Sequence, residues 1–150
     1  MRTLVLGLGN EVLRDDRVGL LAARRVAELW DGRADLAETC VATVDLLALM
    51  AGYERVIVVD AYLSPADPPG TAVRATPGDL PAGFGYRSFH TLPFREMLDL
   101  GRRLGLPVPR EVVIHGLCVS DPATFGETLT PAVEAAWPGW AAAIAETEIG

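Results

Sequence analysis

Lysine is absent from this chain, and all 13 basic residues are arginine. That removes a P-loop lysine, a Schiff-base lysine and a Ser–Lys dyad from the possible chemistries. Serine is scarce: Ser64, Ser88 and Ser120 are the whole supply, and none stands in a G-x-S-x-G elbow. Histidine is limited to His90 and His115, and neither belongs to an H-E-x-x-H motif. Cys40 and Cys118 form neither a C-x-x-C pair nor a disulfide framework, so a reducing cytoplasm is the expected compartment. Positive charge is also short. With 13 basic against 20 acidic residues the net charge is −7, which argues against a nucleic-acid-binding surface. No apolar run approaches the roughly 18 residues of a membrane span, so no membrane partner is expected. Met1 leads directly into a strand-like stretch without the charged region or cleavage site of a secretory leader.

What remains is a 150-residue chain that is half hydrophobic, enough for one domain over residues 1–150. Residues 3–8 (TLVLGL) read as a buried strand with no polar face, the mark of a parallel sheet covered on both sides. Residues 16–30 place Val18, Leu21, Ala22, Val26 and Leu29 on one helical stripe, with Asp15 and Asp16 where acidic caps belong. A weaker strand follows at 36–41, then a short helix at 45–50 that Gly52 stops. Residues 55–60 (RVIVVD) are the strongest strand and close on a carboxylate. A Pro-rich turn leads to an edge strand at 71–74, a loop at 76–88 and a helix at 92–104. A last strand spans 111–118, and a last helix begins at Thr130 and Pro131, with Pro138 expected to kink or break it. This alternation predicts an α/β fold, a three-layer sandwich whose mostly parallel twisted sheet is flanked by helices on both faces.

In such sheets ligands bind beyond the carboxyl ends of the strands, where the strand order reverses. The first and third strands flank that point in a flavodoxin-like order, which brings the loop carrying Asn10, Asp15 and Asp16 beside Asp60. His90 precedes the helix at 92–104 and belongs to the same edge. Two carboxylates and an imidazole suit a divalent transition metal with open positions. Each residue also has an ordinary reading: Asp16 as a helix cap, Asp60 as a loop cap, His90 as a solvated loop residue. G-L-G-N lacks the third glycine of a dinucleotide fingerprint, and adjacent aspartates would repel a pyrophosphate. His115 reads as a satisfied core histidine, the two cysteines as small buried hydrophobes, and the three tryptophans as packing residues.

Four segments, taken in order, resemble one family. G-L-G-N-E-V-L-R-D-D-R-V-G (7–19), V-V-D-A (58–61), F-H-T-L-P (89–93) and L-T-P-A-V-E-A (129–135) are similar to the [NiFe]-hydrogenase maturation proteases. The resemblance implies a metal-dependent endopeptidase that trims the C-terminal extension of a hydrogenase large-subunit precursor. It implies metal ligands, and so the reactive centre, at Asp16, Asp60 and His90, and leaves Asp15 to cap or position the loop. The nickel it implies arrives bound to the precursor, with other divalent metals able to substitute. A monomer is expected. After the second strand the family usually carries an Asp-Gly-Gly-Thr-like loop associated with reading the substrate. Here that stretch is Glu38-Thr39-Cys40-Val41, so Glu38, with Asn10, is the expected substrate-reading residue and the glycines are lost. The turn near residues 118–121 also departs from the family pattern. Two other classes fit less of the chain. A non-catalytic metal-binding or chaperone-like module would not need the Asp16/Asp60/His90 set. A peptidyl-tRNA hydrolase would need an earlier histidine and a basic groove.

Overall fold

Two apolar segments organise the sheet. Thr3–Leu8 (β1) and Arg55–Tyr62 (β3) are buried along almost their whole length and run parallel, with Gly7 opposite Val59. The computed structural model describes residues 2–40, 45–79 and 94–149. Outside β1 lies Asp35–Thr39 (β2), parallel to it, and outside β3 lies Glu111–Cys118 (β5), also parallel. Ala72–Ala75 (β4) closes the far edge antiparallel to β5, giving the order β2-β1-β3-β5-β4. β1 and β3 are therefore neighbours at the switch point, as the sequence predicts.

Strand side chains alternate between two cores. Val5, Ile57, Val59, Val113 and Leu117 pack under Val18–Trp30 (α1) and Pro131–Glu148 (α4). Leu4, Leu6, Val56, Val58 and Ile114 pack under Leu46–Met50 (α2) and Phe94–Arg103 (α3). Helices on both faces explain why the central strands carry no polar side: neither face meets water. Among the described residues, no helix is long and apolar enough to cross a membrane.

Three expectations change. Residues 16 and 17 belong to a 3-10 turn, Asp15–Arg17, and the α-helix begins at Val18. Pro138 does not break α4, which runs through it to Glu148. Pro138 lies on the exposed side of the helix, beside an exposed Glu134, so the carbonyl it cannot pair is open to water. Cys118 is buried as expected, whereas Cys40 is exposed at the end of β2.

Glycine sets the distance between α1 and the sheet. A Cβ on Gly19 would lie 2.3 Å from the Leu8 carbonyl oxygen and 2.7 Å from that of Val59. Only hydrogen at that position lets the start of α1 sit over the carboxyl ends of β1 and β3 together.

His115 is the satisfied core histidine that the sequence suggests. Its Nε2 lies 2.7 Å from Glu148 Oε2, and Glu148 also accepts from Arg55 (2.5 Å) and Arg74 (2.7 Å). Burial pushes the His115 pKa below its usual 6.5, against the pull of Glu148. Burial pushes Glu148 up, but hydrogen bonds from Arg74 and His115 outweigh it and leave the carboxyl below its usual 4.5. Both groups thus bind protons more readily when unfolded. The His115 contribution is complete above pH 6.5 and fades as pH falls through that value toward the lowered one; the Glu148 contribution does the same below 4.5. In urea titrations, His115→Gln should flatten the loss of stability just below pH 6.5 and keep the loss below 4.5.

Candidate active site

The chain leaves β1 through Gly9 and Asn10. A Cβ on Gly9 would lie 2.2 Å from the Asp16 carbonyl oxygen, so the loop closes tightly on the turn that carries Asp16. The Gly9 N–H donates to the Thr39 carbonyl at the end of β2. Asn10 Oδ1 accepts from the Val12 N–H at 3.1 Å, and the Asn10 carbonyl accepts from Leu13. The chain then pairs with the segment after β5. Leu13 bridges Phe125, the Arg14 N–H donates to the Thr124 carbonyl, and the Asp15 N–H donates to the Asp121 carbonyl.

Asp15 is fully buried and does not cap the helix it precedes. Its Oδ2 accepts from the Ser120 and Asp121 N–H groups at 3.0 and 2.8 Å and from the Thr130 hydroxyl at 2.7 Å. Its Oδ1 accepts from the Thr130 N–H at 2.8 Å. Thr130 holds the N-cap position of α4, but its hydroxyl serves Asp15 instead of the helix. One carboxylate thus ties the entrance of α1 to the end of β5 and the start of α4. Asp121 adds to this, with Oδ1 accepting from the Ala123 and Thr124 N–H groups; those Thr124 bonds hold its pKa low.

Asp16 is 5% exposed and Asp60 7% exposed. The turn that carries Asp16 packs against β3, whose carboxyl end carries Asp60, and Gly19 would place a Cβ 3.2 Å from the Asp60 Cα. The two carboxylates therefore share the edge that topology selects. Asp60 Oδ1 accepts from the Ala61 N–H at 2.7 Å. His90 lies outside the described residues, and among these no group of three or more His, Cys, Asp or Glu is arranged to hold a metal. The two hard oxygen donors fit a divalent cation only with ligands from elsewhere.

Glu38 lies near the carboxyl end of β2, opposite Gly7. Both its oxygens are taken by Arg24 at 2.7 Å, and the same guanidinium reaches Glu11 in the loop after β1. The Arg24 hydrogen bond holds the Glu38 carboxyl below its usual range. Sequence reasoning missed Arg24, because a single arginine off an apolar helical stripe carries no signal of its partners. It also missed Ser120 and Asp121 as donors to Asp15, since backbone N–H groups leave no trace in residue type.

The hydrogenase maturation protease family, described as "HycI: Hydrogenase maturation protease", matches residues 30–147, and the chain belongs to it. It is 30% identical over 142 residues to the hydrogenase 2 maturation protease of Escherichia coli, covering 90% of this chain and 83% of that one. Its fold is similar to the hydrogenase maturating endopeptidase HybD of E. coli, with TM-score 0.73 and 27% identity over 99% of this chain and 94% of that one. It is also similar to HybD, a [NiFe] hydrogenase maturation protease from Thermococcus kodakarensis, with TM-score 0.68 and 25% identity, covering 99% and 100%. Proteins of this family are endopeptidases, and this chain is a hydrolase of that kind.

The Asp15 network separates two accounts of that residue. As an N-cap, Asp15→Asn would be almost neutral and Asp15→Ala would cost about 1 kcal/mol. With both oxygens facing donors, an amide NH2 has no acceptor to meet and Ala strands the groups of Ser120, Asp121 and Thr130. Asp15→Asn and Asp15→Ala should each lose about 2 kcal/mol or more in chemical denaturation. A neutral Asp15→Asn would restore the capping account.

Proposed function

We propose that the chain removes the C-terminal extension from a nickel-loaded hydrogenase large-subunit precursor, with Asp16 and Asp60 at the centre of the reaction and His90 as their partner. The observation that carries this reading is the pair of almost fully buried carboxylates at the β1/β3 switch point. Both stand at the carboxyl ends of the strands on either side of the switch point, where open α/β sheets bind their ligands. The Cys118 thiol points the same way. Cys118 is buried, with burial pushing its thiol pKa up, which is the reverse of an activated cysteine.

Nickel carried by the precursor would supply Lewis acidity toward the scissile carbonyl. Asp16 and Asp60 orient that metal-bearing end, and one carboxylate can take the proton of an attacking water and return it to the departing amine. Asn10 stands beside this edge. Its Oδ1 is spent on the loop, which leaves its amide to donate to a substrate carbonyl. Glu38 is bonded to Arg24, so it shapes the substrate-facing edge through the Glu11–Arg24–Glu38 chain instead of acting as a free acceptor. In this reading the chain works as a single-domain monomer in the cytoplasm.

Peptide mapping of a nickel-loaded precursor incubated with the protein tests the reading. One cut near the C-terminus is expected, and an intact precursor refutes it. Asp16→Ala and Asp60→Ala should each reduce processing at least a hundredfold with melting temperatures near wild type.

A further inference from the structure

Phe125 is 79% exposed, more than any other large hydrophobic residue described. It does not sit on a slack loop. The Leu13–Phe125 bridge is flanked by the Arg14 N–H to the Thr124 carbonyl and the Gly126 N–H to the Val12 carbonyl, each at 2.9 Å. Arg14 Nε donates to the Thr128 carbonyl, Arg17 donates to the Glu127 carbonyl, and Asp121 holds the Ala123 and Thr124 N–H groups. A Cβ on Gly126 would come within 3.0 Å of Arg14 Cγ, so the two segments are pressed together. The protein thus spends a short antiparallel ribbon on presenting an aromatic ring to water. A rigidly held, exposed aromatic has the character of an interface anchor, because it loses little freedom when covered.

The position of the ribbon says what covers it. Leu13 is three residues from Asp16, and the bridge brings Phe125 opposite Leu13. The Phe125 and Asp16 Cα atoms are therefore at most about 16 Å apart, and an extended peptide of five residues spans about 17 Å. A protein held for cutting at Asp16 and Asp60 passes within reach of Phe125.

We propose that Phe125 is a substrate-contacting, specificity-determining residue: it docks on an apolar surface of the hydrogenase large-subunit precursor beside the scissile segment. This rests on the endopeptidase reading above and deepens it. Phe125 contributes to holding the precursor and takes no part in bond cleavage. Its loss should raise KM and leave kcat in place.

Processing of nickel-loaded precursor, followed over a range of precursor concentrations, tests this. Phe125→Ala should raise KM on the order of thirtyfold with kcat within about twofold of wild type. Phe125→Tyr, which keeps the ring, should recover most of that. Leu104→Ala removes a side chain that is 62% exposed at the opposite edge of the sheet and should leave KM unchanged. An unchanged KM in Phe125→Ala, an equal rise in Leu104→Ala, or a fall in kcat alone overturns the proposal. If the wild-type protein leaves the precursor whole, the endopeptidase reading has failed, and calorimetric binding of the same precursor still reports on Phe125. Weaker binding by Phe125→Ala then supports the docking role, and equal binding overturns it.

Discussion

A carboxylate removed completely from water has to find donors for its lone pairs, and Asp15 finds four. Those donors come from the two ends of the segment that joins β5 to α4, and Asp15 itself comes from the entrance to α1. The carboxyl edge of the sheet is therefore closed from both sides by one side chain. Asp16 is the next residue, so its backbone is fixed by whatever fixes Asp15. The close contacts of Gly9 with the Asp16 carbonyl and of Gly19 with Leu8 and Val59 complete the restraint. Asp16 is thus held in place by neighbours on three separate segments.

Division of labour between adjacent aspartates follows from this geometry. Asp15 is saturated with donors from the protein and has no capacity left for a ligand. Asp16 and Asp60 keep a few per cent of exposure at the same edge, where Asp15 keeps none. Similarity to maturation proteases of E. coli and T. kodakarensis extends across almost the whole chain. The carboxylate pair thus lies within a shared framework and not on an added loop.

Much of this was legible in the residues. The apolar runs of β1, β3 and β5, unbroken by polar alternation, announced a sheet covered on both faces, and the strand order placed Asp16 near Asp60. The D-D-x-x-G run gave the position of Gly19 but not its purpose, since close backbone approach is visible only when both backbones are. The expectation that Asp15 caps its helix fails for one reason. The residue types that cap helices also make long-range hydrogen bonds, and local sequence does not separate the two. A kink or break is expected at Pro138 because proline lacks a donor, and solvent on that side of α4 makes the unpaired carbonyl harmless, so the helix runs on. The substrate-reading expectation for Glu38 does not include its bond to Arg24, because Arg24 lies on a different element. His90 falls outside the described residues, so its part in the site stands on sequence.

Among the described residues the sheet has two open rims, and each is poor at recruiting another strand. β2 is five residues long and carries Asp35 and Glu38, both charged. β4 has four residues and its Arg74 is engaged by Glu148. Short rims bearing charge offer little unpaired backbone for edge-to-edge stacking between molecules. Copies of the protein are thereby spared fibre-like association with one another.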